Sequence, residues 1–202
     1  MDYGVNNLRS VVRALDAGGH PATLSADPAV VRQAGHLLVP GVGNYGQAAK
    51  NLTTTGLGDA IREVAASGRP VMGICLGMQL FFARSEEAPG AVGLGLLSGE
   101  VRRFRTELPV PHVGWAAVAL TPSGGRHPVL AGLFGGATRF FYHVHSFHPD
   151  RLADGAALAT ADYDGLFPTI VGQGNILGAQ FHPEKSQQEG IALLAHFAEW
   201  RP

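Results

Sequence analysis

Leu8, Val11, Val12 and Leu15 fall at i, i+3, i+4 and i+7, the spacing that gathers apolar side chains on one helix face. The Gly18-Gly19 pair supplies a stop, so the pattern predicts a helix from about Asn7 to Ala17. Pro21 to Leu24 reads as a short strand. Asp27-Pro28 is a capping residue followed by proline at the first helical position, and opens a short helix to about Ala34. His36 to Val39 is an apolar run suited to a buried strand, broken by Pro40-Gly41-Val42-Gly43. Helical spacing returns at Leu57, Ala60, Ile61 and Val64 and ends at Gly68. A second apolar run, Val71 to Ile74, predicts a strand, and an amphipathic helix follows to about Arg84.

Strands alternating with helices in this way indicate a parallel sheet with helices on both faces. The second half changes character. Short β-like runs lie between glycine and proline punctuation at Val101–Phe104, Val118–Leu120, Phe140–His145, Ala157–Thr160, Thr169–Val171 and Ile176–Gln180. They predict antiparallel strands added to the core sheet. Ile191, Leu193, Leu194 and Phe197 predict a closing helix. The fold class expected is therefore α/β, with a mostly parallel central sheet, helices on both faces and antiparallel additions. No repeat, low-complexity tract or linker divides the chain, so residues 1–202 are expected to form one domain.

Composition narrows the function classes. Apolar residues make up 46% of the 202 and charged residues 15%, an ordinary globular balance. A net charge of −1 gives no overall attraction to nucleic acid or to an anionic membrane surface. The longest nearly apolar run, Val71 to Phe82, is interrupted by Gln79 and is too short to span a bilayer. No leader pattern opens at Met1, and the one cysteine excludes an internal disulfide framework, so a reducing cytoplasm is expected.

That cysteine lies in Gly73-Ile74-Cys75-Leu76-Gly77, where an apolar strand gives way to a helix. A lone cysteine among Val, Ile, Leu and Met is most often an inert core residue. Here glycines two residues to either side relieve the crowding of a sharp strand-to-helix turn, as in nucleophile elbows. The start of a helix also favours thiolate over thiol. A second apolar strand delivers His182, with Glu184 two residues on across Pro183. A thiol nucleophile needs a base and a third group to orient it, and His182 and Glu184 can fill those roles. Alone, the His-x-Glu pair would read as a surface contact; a presented cysteine strengthens the catalytic reading. The Gly41-Val42-Gly43 turn lets backbone approach a substrate closely. The Gly43 amide, with that of Leu76, could stabilise an oxyanion, each donor contributing about 10²–10³ in rate.

Other combinations are weaker. His143, His145 and His148 cluster, but no second cysteine is present and the spacing matches no common zinc site. Alternation puts His143 and His145 on one face, as a pocket wall or a packed polar pair. No Gly-x-Gly-x-x-Gly opens the first helix, which leaves a nucleotide site without support.

Together these motifs resemble the class I, triad-type glutamine amidotransferases. The resemblance runs over almost the whole chain: Asp2-Tyr3-Gly4-Val5-Asn6-Asn7-Leu8, Pro40-Gly41-Val42-Gly43, the Cys75 elbow through Met78-Gln79, Gly93-Leu94-Gly95-Leu96, Pro111-His112-Val113-Gly114-Trp115, Val144-His145-Ser146 and Gln180-Phe181-His182-Pro183-Glu184-Lys185-Ser186. Met78, Pro-His-x-Gly-Trp and Val-His-Ser narrow it to the histidine-biosynthesis branch, the glutaminase subunits of imidazole glycerol phosphate synthases. The implied fold is flavodoxin-like, with glutamine as substrate and no cofactor or metal. Cys75 attacks the glutamine amide, His182 protonates the departing ammonia, and water hydrolyses the thioester. Gln79 and Glu87 match positions that hold glutamine, and His145 and Ser146 should complete its pocket. The implied assembly is a heterodimer. Ammonia passes to a (β/α)8 cyclase subunit, which makes imidazole glycerol phosphate and an aminoimidazole carboxamide ribonucleotide. Asn7, Trp115, Tyr142 and Lys185 match positions facing that subunit; otherwise Trp115 would be core and Lys185 a solvated charge.

Two departures from the family pattern stand out. Asn6 replaces the second glycine of Asp-Tyr-Gly-x-Gly-Asn, and asparagine is the least costly substitute at a left-handed position. The apolar run that forms the first sheet strand in the family does not precede Asp2, so that strand is expected to be truncated and the sheet incomplete at its centre. Two alternatives remain. One is a glutaminase of another amidotransferase, such as that serving pyridoxal phosphate synthase, against which Pro111-His112-Val113-Gly114-Trp115 argues. The other is a non-catalytic regulatory subunit of the same fold.

Overall fold

The first helix follows the predicted spacing: α1 (Leu8–Ala17) buries Leu8, Val11, Ala14 and Leu15. Asp27 caps α2 (Pro28–Arg32), its carboxylate accepting the Ala29 amide at 2.8 Å. The computed structural model describes residues 8–202. The first half continues through β1 (Leu37–Gly41), α3 (Tyr45–Thr54), α4 (Leu57–Ala66), β2 (Val71–Cys75) and α5 (Leu76–Gln79). The second half contributes β3 (Glu100–Arg103), β4 (His112–Leu120), α6 (Pro128–Phe134), β5 (Arg139–His145), β6 (Phe147–Asp150), β7 (Ala157–Asp162), β8 (Leu166–Gln173), β9 (Ile176–Ala179) and α7 (Gln187–Glu199).

Seven strands form one mixed sheet in the order β1-β2-β9-β8-β7-β4-β5. The pairs β1–β2 and β2–β9 are parallel, and the others are antiparallel. The parallel part is buried on both faces, so β2 reads as an unbroken apolar run. Alternation divides its side chains: Met72 and Ile74 join the apolar cluster that includes α1, α6 and α7, whereas Val71 joins that of α2, α3 and α4. Leu177 and Ile176 of β9 divide in the same way.

Several elements differ from expectation. β3 pairs antiparallel with β6 in a separate ribbon instead of joining the core sheet. Its Arg102 bonds Glu86 and Asp150, each at 3.1 Å, and such an ion-pairing side chain does not suit a strand covered on both faces. The helix after the elbow ends at Gln79 rather than near Arg84. The carbonyls of Leu80 and Phe81 accept from Leu94, Leu96 and Leu97, and that of Phe82 from the Tyr45 hydroxyl, so they are committed to tertiary partners. Pro21–Leu24 is irregular and borders a cavity of about 570 Å³ whose far wall includes Leu37, Leu38 and Pro40 of β1. The Asp2–Asn7 motif, including Asn6 and the expected interface residue Asn7, lies outside the described residues. Among the described residues β1 stands at one end of the sheet, which runs unbroken from β1 to β5.

Candidate active site

Cys75 is the last residue of β2 and Leu76 the first of α5, so the candidate nucleophile sits on the turn itself. Its backbone is at φ 51 and ψ −113, a conformation that non-glycine residues rarely adopt and that surrounding packing must hold in place. The elbow glycines are part of that packing. A Cβ on Gly77 would lie 1.8 Å from the Val39 carbonyl oxygen, and one on Gly73 would lie 2.5 Å from Met78 Cα. Gly178 on β9 gives the third relief, since a Cβ there would meet Met78 Cγ at 2.2 Å. The turn can therefore seat against β1 and β9 only because these three positions lack side chains.

Beyond β9 the chain carries Gln180, Phe181 and His182, all buried. The His182 amide donates to Tyr142 O at 2.9 Å, and the Ser186 hydroxyl donates to His182 O at 2.7 Å. Pro183 begins a short 3-10 turn, Pro183–Lys185, which swings Glu184 back to the imidazole. His182 Nδ1 donates to Glu184 Oε1 at 2.8 Å, with both side chains only 2% exposed. With Nδ1 committed, the other ring nitrogen is the one left for Cys75, whose interaction with the ring raises its pKa. Burial alone would lower the pKa of His182. The hydrogen bonds and charges of Cys75 and Glu184 outweigh it and raise the pKa to about 10. The arrangement is that of a thiol beside a base that a carboxylate orients.

The end of β1 lies beside the nucleophile, because Gly41 is in register with Cys75. Gly43 follows at φ +111, and a Cβ there would meet nothing within 4 Å. This glycine answers to backbone conformation, not to crowding.

The expected glutamine-holding residues are already tied to the protein. Gln79 is buried, and its amide nitrogen donates to Phe147 O at 3.1 Å and to Gln180 Oε1 at 3.0 Å. Glu87 accepts from the Tyr45 amide at 2.9 Å and from Asn44 Nδ2 at 3.2 Å, which joins it to the start of α3. His145 Nδ1 donates to Phe147 O at 2.8 Å, and burial holds its pKa well below the usual range. The Ser146 carbonyl accepts the Phe104 amide at 3.1 Å.

His143 and His145 form a packed polar pair, 5.5 Å between ring centroids, with His112 stacked on His143 at 5.1 Å. Burial lowers His143 to about 3, so it is neutral. Its Nδ1 donates to Phe141 O, which leaves Nε2 to accept from the Thr169 hydroxyl at 2.8 Å. Three of the four expected interface residues also come together. Trp115 and Tyr142 are cross-strand partners on β4 and β5, and Lys185 Nζ lies 5.6 Å from the Tyr142 ring centroid. Trp115 is 48% exposed, so it is not core.

Gln180 was not singled out in the sequence. It stands just past the end of β9, two residues before His182. Its Nε2 lies 3.7 Å from Cys75 Sγ.

Comparisons with known proteins identify the family. Residues 1–199 match the family described as Glutamine amidotransferase class-I. The imidazole glycerol phosphate synthase subunit HisH of Symbiobacterium thermophilum is 46% identical over 198 residues, covering 98% of this chain and 91% of that protein. The protein of the same name from Bacillus subtilis is 41% identical over 205 residues, covering 98% and 94%. A crystal structure described as a glutamine amidotransferase superposes with a TM-score of 0.76 at 23% identity, covering 96% of this chain and 94% of the other, a likeness of fold.

Proposed function

The chain belongs to the class-I glutamine amidotransferase family, and from that premise we infer that it is the glutaminase subunit of an imidazole glycerol phosphate synthase. It hydrolyses glutamine to glutamate and ammonia for a (β/α)8 cyclase subunit in histidine biosynthesis. Residues 1–202 act as one amidotransferase domain. The observation that carries the reading is the buried chain Cys75–His182–Glu184, closed by the 2.8 Å bond from His182 to Glu184.

The Cys75 thiolate attacks the side-chain carbonyl carbon of glutamine, and the C–S bond forms as the carbonyl electrons move onto oxygen. The amides of Gly43 and Leu76 stabilise that oxyanion. When it collapses, the C–N bond breaks and the His182 imidazolium protonates the leaving ammonia. His182, now neutral, takes a proton from water as the water attacks the glutamyl thioester. Glutamate leaves and the thiolate–imidazolium pair is restored. Glu184 keeps the imidazole oriented and stabilises its charged form throughout. Gln79, Glu87, His145 and Ser146 hold the substrate. Both hydrogens of the Gln79 amide nitrogen are already used, so its Oε1 is the atom left to meet the ligand.

Trp115, Tyr142 and Lys185 receive the cyclase subunit, with Asn7. A cytoplasmic location belongs to the same proposal, since the lone thiol must stay reduced to act. Among the described residues no helix is long and apolar enough to cross a membrane.

The test is glutamate release from glutamine, with and without the cyclase subunit and its nucleotide ligand. Low activity alone and strong stimulation by the complex are expected. Cys75→Ala abolishes release in both settings, and equal rates for this variant and wild type would end the covalent mechanism.

A further inference from the structure

Three side-chain amide contacts converge beneath the nucleophile, and their polarity can be worked out. Phe147 O is a main-chain carbonyl and can only accept, so the Gln79 atom 3.1 Å away is the amide nitrogen. The second hydrogen of that nitrogen points to the Gln180 side chain at 3.0 Å, which must present oxygen there. The end of Gln180 that reaches the Cys75 sulfur at 3.7 Å is therefore its NH2 group, a donor. The Gln180 backbone is pinned as well, its amide donating to Thr169 O at 2.8 Å. Gln180 is fully buried, so water does not compete for these bonds.

We propose that Gln180 is a positioning residue of the glutaminase, donating a side-chain N–H to the Cys75 sulfur, favouring its thiolate form and holding it toward the substrate. His182 approaches the sulfur as its acid–base partner, and Gln180 supplies a second donor that takes no part in proton transfer. Because Gln79 sets the direction of the Gln180 amide, the substrate pocket and the nucleophile share one hydrogen-bond chain. The inference rests on the glutaminase reading above.

Two variants test it in the full chain. Gln180→Met keeps the length and removes the donor, while Gln180→Glu keeps the shape and turns an acceptor toward the sulfur. The first measurement is the pH profile of Cys75 alkylation by iodoacetamide, which does not depend on glutamine. The second is kcat and KM for glutamine with the cyclase subunit present. In Gln180→Met the pH of half-maximal alkylation is expected to rise by about one unit. Its kcat is expected to fall about 10- to 100-fold, the scale of a hydrogen bond to a charged group, with a smaller change in KM. Gln180→Glu moves the alkylation profile further the same way and keeps the inference testable if the Met variant does not fold. An unchanged alkylation profile in a folded variant, with only KM raised, would place Gln180 in substrate binding and overturn the proposal. Cys75→Ala in the same hydrolysis assay separates the two levels: if it still releases glutamate, the glutaminase mechanism fails, whatever Gln180 does to alkylation.

Discussion

In the proposed mechanism the chemistry turns on His182, and its protonation has consequences for activity and for stability. Its pKa of about 10 in the fold stands above the ordinary 6.5, because the partners it gains outweigh burial. Folding then favours the protonated ring. That contribution is fully present below about pH 6.5 and is lost as pH rises through the folded value near 10. Thermal melts of wild type and His182→Gln should therefore converge as pH is raised from 6.5 to 10. A gap that stays constant or widens would refute the ion-pair assignment. Glu184 acts through the same ring. Glu184→Gln removes the charge while keeping an acceptor near Nδ1, and is expected to lower kcat about a hundredfold or more in the glutaminase assay. Gln180, the further residue against the sulfur, was legible only as part of a quoted run. Its function lies in a contact to a residue 105 positions away in sequence, which periodicity does not reveal.

At the scale of elements, two glycines near the nucleophile separate packing from conformation. Gly77→Ala would force a Cβ to within 1.8 Å of a strand carbonyl, and main chain has no room to yield. A loss of about 3 kcal/mol or more is expected, a fall of roughly ten degrees in Tm for a domain of this size. Gly43→Ala meets open space and carries only the strain of positive φ, about 1–3 kcal/mol. If the Gly43 amide serves the oxyanion, relief of that strain turns the N–H away from the site and kcat falls by up to about 10²–10³ while the fold is kept. Turnover that stays unaltered while a crystal structure of Gly43→Ala shows the amide turned away would remove that role. The elbow was readable because its glycines and its change of period are local. α3 was not read, although Tyr45, Ala48, Ala49 and Leu52 have helical spacing and Asn44 caps it, because Gly46 and the Thr53–Thr55 run resemble a loop. Pro21–Leu24 has strand composition, yet a strand also needs a ladder partner, and among the described residues it pairs with none. α5 stops short of its apolar pattern for a related reason: the Leu80 carbonyl, which would accept from Arg84 in a continued helix, is claimed by the Leu94 amide.

For the whole molecule, the β4–β5 pair joins the outer surface to the proposed base, His182. Its inner face carries the buried His112, His143, His145 and Phe141, while its outer face exposes Val113, Trp115 and Phe140. Exposed aromatic and aliphatic side chains on one strand pair, with Lys185 beside Tyr142, fit a partner surface better than bulk water. The Tyr142 carbonyl accepts the His182 amide at 2.9 Å, so a protein seated on this face presses on the backbone that carries the base. That would give the proposed stimulation by the cyclase subunit a physical route. Trp115→Ala and Lys185→Ala should each weaken cyclase binding by at least about tenfold, as expected for a central aromatic anchor and a charge at its rim. Titrating the cyclase subunit against glutamate release measures this directly. The half-saturation concentration should rise in both variants, while Tm stays near wild type because neither side chain is core. The rate at saturating cyclase separates contact from coupling. Recovery of the full stimulated rate means that Trp115 and Lys185 supply affinity alone. A reduced plateau means that the contact at Tyr142 also transmits the activation to His182. Unchanged half-saturation in both variants would move the interface off this face altogether.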